Sequence, residues 1–506
     1  MQNMIDAIVG FFDPMSGLRR AQARRVLASY EAAKPGRLRK DRNKNPSPNN
    51  LVGASAVALR NHARYLERNH DITRGVLRTL VNNVIGPSGI GLEPQPRRQD
   101  GTLHTEYAAQ LREMHRKWRQ RPEVTSRLTW AQAERMLAYT WLRDGEVFTQ
   151  LVTGFVPGLV HGSEVPFSLE LLEPDFIPME YNDPSRKIRQ GIQVNDWGRP
   201  VSYGCFKRDP REAGHWITPA DLKWVPASNM LHLSTMDRLH QWRGVSEFAS
   251  VLTRVEDLKD YEESERIAAK VAASLSAYVK RIPGPEGYEG PVNGEPRQLR
   301  MQPGMIFDNL QVGEEIGMID TNRPNPNLVA WRAGQLRAYA AGVGASYSSI
   351  SRDYNGTYSA LRQELVEQWV HYAVLADDFV GQISQPVWKQ LVEIAHLSGV
   401  VRKPADLMPG TETDCLFIGQ SMPWIDPLKE ATAWEKLARN GFASEVEVIR
   451  RRGGNPREVM DQTAQWRKES DERGLRYASN PAHDKGASQP KTEIDDIDEV
   501  VPARDD

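Results

Sequence analysis

One stretch, from Gly244 to Gly399, constrains the fold more than any other because it predicts unusually long helices. Between Val245 and Arg281, apolar residues recur at helical spacing on one face, and the opposite face is strongly charged. The apolar positions are Val251, Val255, Leu258, Tyr261, Ala268, Val271, Leu275 and Tyr278. At 1.5 Å per residue this helix would be roughly 55 Å long. Such a charged rod cannot be wholly buried in one core, so we expect it to stand in solvent or to pack beside other copies of the chain.

The residues after this rod predict a small insert and a second helix. Pro283 and Pro285 end the first helix because proline removes a backbone donor and clashes with the preceding turn. From there to Pro326 the chain is rich in Gly and Pro and carries short apolar pieces, which predicts a compact hairpin-like insert. A second helix is predicted over Leu328–Gly342. Two helices that rise from the base of an insert indicate a stalk.

A polar loop and a very long helix complete the stretch. Residues 344–358 are rich in serine and tyrosine and have no strong period, which predicts a loop. The helix is predicted over Ser359–Leu397, with a kink at Pro386.

The rest of the chain predicts an α+β domain and a helical C-terminal region. The predicted helices are Leu51–Asn69, Ile72–Ile85, His104–Gln120 and Thr129–Arg143. The predicted strands are Glu146–Val152, Phe167–Leu172, Ile188–Val194, Pro200–Phe206 and Met230–Leu233. The glycines of residues 86–91 predict a turn, since no Lys-Ser/Thr pair follows as in a phosphate-binding loop. Three short amphipathic segments are predicted between Pro427 and Arg473.

The charge of the chain argues against tight nucleic-acid binding. The net charge is −1 over 506 residues, whereas a protein that grips DNA usually has a basic excess. Basic residues concentrate in residues 19–44 and acidic residues in 491–506, and such blocks are solvated tails with or without a partner. No apolar run approaches the ~20 residues of a membrane span, and the N-terminal residues lack the order of a signal peptide. We expect a protein made and used in a cytoplasm.

The sequence carries no strong catalytic or metal-binding motif. It has no GxxxxGK[ST], HExxH or GxSxG motif, its two cysteines lie far apart, and its 11 histidines form no metal-spaced group. The most enzyme-like feature is the group Glu170, Glu173 and Asp175, whose carboxylates near a strand end could hold Mg²⁺ for nuclease chemistry. Solvent-facing residues before the turn at Pro174 explain the same pattern equally well.

Six segments, in order along the chain, resemble the portal proteins of lambda-like tailed bacteriophages. They are Trp141–Phe148, Leu171–Asp175, Gly191–Pro200, His232–Ser246, Leu299–Gly304 and Tyr354–Arg362. The resemblance runs from about residue 20 to residue 475 and leaves out the basic and acidic tails. Six ordered matches make it highly specific.

The resemblance implies a portal, the head-tail connector of a phage. Such proteins form a dodecameric ring at one capsid vertex of the virion, through which double-stranded DNA is packaged and later ejected. The implied fold is α+β, with an α/β wing, long stem helices, a small α/β clip, a kinked long helix and a helical crown. The implied regions are a basic tail (1–50), wing (51–244), first stem helix (245–281), clip (282–327), second stem helix (328–345), tunnel loop (346–358), long wing helix (359–400), crown (401–475) and acidic tail (476–506).

The resemblance also implies partners and site residues. The implied partners are further copies of the chain, DNA that slides without sequence specificity, the terminase large subunit, major capsid or scaffold proteins, and head-completion or tail connector proteins. Assembly would take place in the host cytoplasm, with no membrane, cofactor, metal or enzymatic activity. The implied tunnel-loop residues are Tyr347, Ser348, Arg352, Tyr354, Asn355 and Tyr358. The implied stem lining is Glu256, Asp260, Glu263 and Lys270, and the implied docking residues of the clip are Pro285, Glu286, Tyr288, Glu295 and Arg297.

Two other functions stay open on the sequence. One is a metal-dependent nuclease that uses Glu170, Glu173 and Asp175. The other is a closed structural head-assembly protein, such as a head shell or scaffold protein, with no open bore.

Overall fold

The fold mixes helices and sheets, as the sequence predicts, and divides into two compact units. The structure is a computed structural model that describes residues 46–212, 221–273, 277–281, 314–318, 327–422 and 426–475, together with residues 15 and 477. The first unit takes in residues 1–90 and 94–414, and the second takes in residues 91–93 and 415–506. Within the described ranges, every helix is too short or too polar to cross a bilayer.

Four helices and one short strand open the first part of the chain. They are α1 (Pro48–Asn69), α2 (Asp71–Val84), β1 (Gly91–Pro94), α3 (Thr105–Trp118) and α4 (Trp130–Asp144). Each helix agrees with its predicted range to within three residues. Ser47 caps α1 by accepting a hydrogen bond from the Asn50 N–H, and a proline at the first helical position suits the start of a helix. The predicted turn before β1 is confirmed, with Gly86 and Gly89 at positive φ.

Two antiparallel sheets follow. Their strands are β2 (Glu146–Thr153), β3 (Phe167–Leu172), β4 (Ile188–Arg189), β5 (Ile192–Val194), β6 (Pro200–Phe206), β7 (Leu222–Pro226) and β8 (Met230–Ser234). One sheet has the order β3-β2-β8 and the other β4-β5-β6-β7. The prediction of a single strand over residues 188–194 is wrong because Gln190 and Gly191, both at positive φ, turn the chain between β4 and β5. β7 was not predicted.

One hydrophobic cluster takes side chains from both sheets. Its buried residues are Phe148, Leu172, Ile177, Ile192, Val194, Tyr203, Cys205, Val225 and Met230. The cluster explains the inward alternation of apolar residues along these strands. Cys205 is buried there as a free thiol, and Cys415 is half-buried.

The prediction of one helix over residues 245–281 is wrong in its bounds. α5 spans Leu252–Ala273, and residues 277–281 form the strand β9 (Ala277–Arg281). At 1.5 Å per residue α5 is about 33 Å long. Its buried residues include Val255 and Leu258, as the apolar periodicity predicts.

Hydrogen bonds to the sheets explain why the helix starts late. The Gly244 N–H donates to Glu146 Oε2 at 2.9 Å, and the Val245 N–H donates to the Thr235 carbonyl at 3.3 Å. The Thr235 N–H in turn donates to the Gly145 carbonyl at 2.8 Å. These contacts fix Gly244 and Val245 against the sheets, and residues 247–251 form turns before α5 begins.

β9 forms the base of the predicted insert. It pairs antiparallel with β10 (Glu314–Met318), with Glu314 opposite Arg281. The hairpin-like insert is therefore confirmed at its base, but it begins inside the predicted helix, where Tyr278 and Val279 favour a strand. The predicted docking residues lie outside the described residues; they are Pro285, Glu286, Tyr288, Glu295 and Arg297.

The helix after the insert and the long helix agree closely with their predicted ranges. α6 (Leu328–Gly342) has the predicted bounds, and a short helix, α7 (Tyr347–Ser351), lies where a loop was predicted. A continuous helical segment follows through α8 (Tyr358–Phe379), a π turn (Val380–Ser384) and α9 (Gln385–Leu397). The π turn directly precedes Pro386, where a kink is predicted. Because proline has no N–H and its ring clashes with the turn before it, a wider turn accommodates it.

The described residues of the second unit form a strand pair and three helices. β11 (Cys415–Ile418) pairs with β1, and α10 (Pro427–Arg439), α11 (Glu445–Arg451) and α12 (Pro456–Glu472) follow. The three helices confirm the predicted amphipathic segments. Residues 401–414 belong to the first unit, and the crown that the resemblance implies over residues 401–475 stays a prediction.

We expect Gly145→Ala to destabilise the protein far more than Gly154→Ala. Both glycines have positive φ, at 90° and 73°, so alanine at either position loses about 1–2 kcal/mol of backbone stability. A Cβ on Gly145 would also lie 2.3 Å from the Val245 carbonyl carbon, whereas one on Gly154 meets open space. Denaturant unfolding midpoints compare the two variants. Equal losses would show that the close approach of residues 145 and 245 is not constraining.

Candidate functional site

The polar segment between α6 and α8 has an anchored part and an exposed part. In the anchored part, Ser346 Oγ accepts the Ser349 N–H at 3.2 Å and Gln368 Oε1 accepts the Ser346 N–H at 2.9 Å. Ser348 Oγ donates to Glu364 Oε2 at 2.5 Å. Ser346 and Ser348 are buried. Side-chain hydrogen bonds therefore fix α7 to α8.

Tyr347 and Gly344 complete this anchored part. The Arg337 guanidinium lies 4.7 Å from the centre of the Tyr347 ring, and the Tyr347 hydroxyl donates to Asp353 Oδ2 at 3.2 Å. Gly344 has a φ of 65°, and a Cβ there would lie 2.4 Å from His371 Cδ2. Only glycine fits this turn, so the chain enters α7 in a defined direction.

Residues 352–358 form the exposed part. The side chains of Tyr354 and Tyr358 are 58% and 54% exposed, and Arg352 and Asn355 are also exposed. Arg352 ends α7 in the left-handed conformation, and its guanidinium reaches Thr79 Oγ1 only at 3.5 Å. A cation and two aromatic rings are thus presented to solvent from a fixed base.

The structure separates the six predicted tunnel-loop residues into two groups. Arg352, Tyr354, Asn355 and Tyr358 share the exposed part, whereas Tyr347 and Ser348 belong to the anchored part. The loop prediction is wrong for residues 347–351 because Ser346 provides a helix cap that the irregular polar pattern conceals. The role of the exposed residues stays a prediction.

The predicted stem-lining residues lie on α5. Three of the four are exposed: Asp260, Glu263 and Lys270. Glu256 instead pairs with His62 on α1, at 3.1 Å from its Nε2. α5 also packs on α6, where the Tyr261 and Trp331 rings lie 4.4 Å apart. α5 therefore has one face held by α1 and α6 and another open to solvent.

A second group, which we call the arginine–carboxylate cluster, lies where α1, α4, β2 and the chain before α5 meet. Its members are Arg60, Arg64, Arg143, Arg211, Arg243, Asp144, Glu146, Glu173 and Asp175. At its centre, Glu146 and Arg243 are both fully buried, with Oε1 and Nη2 2.7 Å apart. Glu146 also accepts from Arg60 at 3.2 Å and contacts His232 Nε2 at 3.1 Å. Four separate segments of the chain thus meet at one carboxylate.

The arginines and carboxylates outside the centre of the cluster are also paired. Arg64 Nη2 lies 2.6 Å from both Asp144 Oδ2 and Asp175 Oδ2. Arg211 Nη1 lies 2.6 Å from Glu173 Oε2. These charge-assisted hydrogen bonds tie α1 to the end of β3.

The proposed use of Glu170, Glu173 and Asp175 as metal ligands is contradicted by this pairing. Glu170 accepts from Lys223 Nζ at 2.9 Å, and the other two face arginines. The cluster has five guanidinium groups and four carboxylates, so a divalent cation would have to displace bonded arginines. Across the described part of the chain, no group of three His, Cys, Asp or Glu residues could hold a metal ion.

Sequence reasoning missed the cluster as a unit, although a signal was present. Arg60 and Arg64 lie on the buried face of α1, and Glu146 begins the otherwise largely apolar strand β2. A charge inside an apolar pattern indicates a buried partner. The partners could not be named, since Arg60 and Glu146 are 86 residues apart.

The two titratable groups at the centre have shifted pKa values. Burial alone would raise the pKa of Glu146, but the charge of Arg243 and the hydrogen bond from His232 hold that pKa well below its usual range. Burial lowers the pKa of His232, and Glu146 offsets this only in part. At neutral pH the cluster therefore holds an ionised Glu146 and a neutral His232.

We expect Arg243→Met to destabilise the first unit by about 3–5 kcal/mol, because it leaves Glu146 buried without its main partner. Arg116→Met is the matched control, since it removes an exposed arginine that pairs with Glu113 in the same helix. Chemical unfolding followed by circular dichroism measures both. A loss for Arg243→Met no larger than for Arg116→Met would contradict the central role of the cluster.

We expect stability to fall as the pH drops below about 6.5, the usual pKa of histidine, and to fall further below about 4.5, that of glutamate. Both pKa values are lowered in the folded state, so the unfolded chain takes up these protons first. His115, whose pKa burial lowers to about 3, acts in the same direction. His232→Asn should flatten the decline between pH 6.5 and 5 in thermal melts, whereas His240→Asn, at an exposed position, should not. An unchanged slope in His232→Asn would refute this assignment.

Curated proteins similar to the chain are portal proteins. A probable portal protein of Halomonas phage phiHAP-1 is 22% identical over 423 residues, which cover 80% of this chain and 79% of that protein. Portal protein B of Escherichia phage lambda is 22% identical over 325 residues, covering 58% of this chain and 60% of that protein.

Two solved structures are also similar. One is titled as the virion of a native gene transfer agent particle, with a TM-score of 0.41, 12% identity and coverage of 81% of this chain and 99% of that one. The other is the neck of the native particle computed with C12 symmetry, with a TM-score of 0.36, 11% identity and coverage of 80% and 99%.

A family model decides the assignment. The model described as phage portal protein, lambda family, matches residues 34–375, which is more than half of the chain. This family is structural rather than enzymatic, in agreement with carboxylates that are bound to arginines. It also favours a portal over a nuclease or a closed head-assembly protein. The chain belongs to the lambda family of phage portal proteins.

Proposed function

We propose that this portal protein forms a ring of twelve copies at one capsid vertex, through which double-stranded DNA is packaged and later ejected. The family assignment supports this function. The observation that carries the DNA contact is the exposed part of the segment between α6 and α8, where Arg352, Tyr354 and Tyr358 are held on a hydrogen-bonded base.

An apolar stripe on the long helix supports a ring. Val366, Val370 and Val374 recur every four residues on α8 and are exposed in the single chain, with Val370 64% exposed. Exposed apolar rows of this kind mark surfaces that another protein covers. In a closed ring, each copy contacts the next through the same heterologous interface, so the same row is covered in every copy. The valine row is therefore proposed to face a neighbouring subunit.

The charge of the protein supports a channel through which DNA moves rather than a site that binds DNA tightly. Each phosphate contact adds affinity and salt dependence, so a lining dense in cations would stall moving DNA. The chain has a net charge of −1, and the exposed part between residues 352 and 358 carries one arginine with two tyrosines. Each copy would make weak contacts with the DNA backbone through Arg352, Tyr354, Asn355 and Tyr358. These contacts would form and break as the DNA moves.

The remaining regions are assigned in the same proposal. α5 and α6 form the stem, and the exposed Asp260, Glu263 and Lys270 line the bore, where the acidic groups repel DNA and keep it centred. The wing comprises residues 51–244 and 359–400, the clip residues 282–327, and the crown residues 401–475. The clip docks the terminase large subunit and later the head-completion or tail connector proteins, and major capsid or scaffold proteins surround the ring.

We expect the triple variant Arg352→Ala, Tyr354→Ala and Tyr358→Ala to assemble normally and to package or retain DNA poorly. The three side chains are exposed and contribute little to folding. Their removal weakens the proposed contacts between the ring and DNA. The measurement is the fraction of heads that contain full-length DNA, with ring formation checked separately.

The matched control replaces an exposed arginine and an exposed aromatic residue elsewhere in the first unit, Arg116→Ala with Phe155→Ala. It should package like the unaltered protein. Normal packaging and retention in the triple variant would remove the exposed part from the mechanism.

A further inference from the structure

An asparagine–glycine pair lies in the exposed part of the segment between α6 and α8. The sequence contains three such pairs, Asn293–Gly294, Asn355–Gly356 and Asn440–Gly441, and the structure describes the last two. Asn355 and Gly356 are both exposed and belong to no helix or strand. Because glycine has no Cβ, its backbone nitrogen is unhindered and its backbone rotates freely. An asparagine followed by such a residue can react with the nitrogen beside it.

The two groups that would react are free of hydrogen bonds to other described residues. The Gly356 N–H has no acceptor among them, and the Asn355 side-chain amide has no partner there. The Asn355 backbone N–H donates to Asp353 Oδ1 at 3.1 Å, which leaves both reacting groups unoccupied. The asparagine side chain can therefore turn toward the next backbone nitrogen without breaking a contact.

The pair at residues 440–441 differs, because its glycine is held at the end of a helix. The Gly441 N–H donates to the Ala438 carbonyl at 3.1 Å, and Gly441 has a φ of 74°. A glycine with positive φ commonly ends a helix. Gly356 is not among the glycines with positive φ, and a Cβ on it would lie 3.6 Å from Leu361 Cγ, an ordinary contact. The fold thus uses glycine for the turn at residue 441 and does not need it at residue 356.

We propose that Asn355 is a self-modification site, where deamidation converts its side-chain amide to a carboxylate. The Gly356 backbone nitrogen attacks Asn355 Cγ, so that a nitrogen–Cγ bond forms and the Cγ–Nδ2 bond breaks. The proton of the attacking nitrogen leaves with the amide group as ammonia. Water then opens the succinimide ring at either carbonyl and yields aspartate or isoaspartate. The oxidation state of Cγ does not change, so water is the only co-reactant.

The conversion changes the charge of the exposed part. Residues 352–358 contain one arginine and one aspartate, so their net charge is zero and becomes −1 after conversion of Asn355. In a ring, every copy can gain this charge. A negative charge close to Arg352 opposes contact with phosphates, so the converted protein should hold DNA less firmly. This consequence rests on the DNA contact proposed above, whereas the modification itself does not.

Mass spectrometry of the folded full-length protein tests the site. After incubation at mildly alkaline pH, trypsin releases the peptides 353–362 and 440–450, which contain the two pairs. Peptide 353–362 should gain the mass that follows from the exchange of NH₂ for OH. Peptide 440–450 should gain it roughly fivefold more slowly, because a backbone hydrogen bond must open first. A sample digested without incubation corrects for conversion during digestion.

A variant of the glycine tests the chemistry without touching Asn355. Gly356→Ala should keep the fold and slow the conversion roughly fivefold or more, because a Cβ restricts the backbone and crowds the nitrogen. Gly334→Ala, at an open position on α6, is the matched control and should convert at the unaltered rate. An unconverted peptide 353–362, equal conversion of both peptides, or an unchanged rate in Gly356→Ala would overturn the site.

The consequence for DNA is tested with Asn355→Asp, for which the neutral Asn355→Gln is the control. Asn355→Asp should give fewer heads that retain full-length DNA than Asn355→Gln does. Equal retention by these two, together with poor retention by the triple variant described above, would refute the effect of charge and leave the DNA contact standing. Normal retention by all three would refute the DNA contact itself, and the consequence with it.

Discussion

The buried pair of Glu146 and Arg243 is the interaction on which the rest of the first unit depends. Arg243 donates to the carboxylate and to the carbonyls of Ile177 and Gln190, so one side chain joins β2, the chain after β3 and the β4–β5 turn. The same carboxylate accepts the Gly244 N–H, which fixes how the chain leaves the sheets for α5. Because both groups are fully buried, neither can lose its partner without a large penalty.

Buried contacts also fix the elements around this junction. α5, the proposed stem helix, starts a few residues after Arg243, and the segment between α6 and α8 is held by α8 through Gln368 and Glu364. The exposed residues 352–358 thus extend from a base whose position is set by buried contacts. If residues 352–358 contact DNA as proposed, their side chains can move while their attachment stays fixed.

Much of the fold follows from the local sequence pattern, and the wrong predictions have physical causes. Periodicity alone predicts α6 at Leu328–Gly342, where the contacts with α5 agree with the local pattern. It fails at the start of α5, where the Gly244 and Val245 N–H groups bond to Glu146 and Thr235 and residues 247–251 form turns. The carboxylates near Pro174 resemble a cation site because their arginine partners lie on other segments of the chain, 30 residues away for Arg143, 38 for Arg211 and more than 100 for Arg64. The exposed tyrosines were predictable, whereas the anchoring of Tyr347 and Ser348 required the position of α8.

We propose that the long helices and the exposed valine row belong to an assembly around an open axis and not to a self-sufficient monomer. Electron microscopy of the purified full-length protein, with its mass measured in the same solution, distinguishes the two. We expect closed rings of many copies with an axial opening and a protruding stalk. A stable, compact monomer, with Val366, Val370 and Val374 still facing solvent, would contradict it.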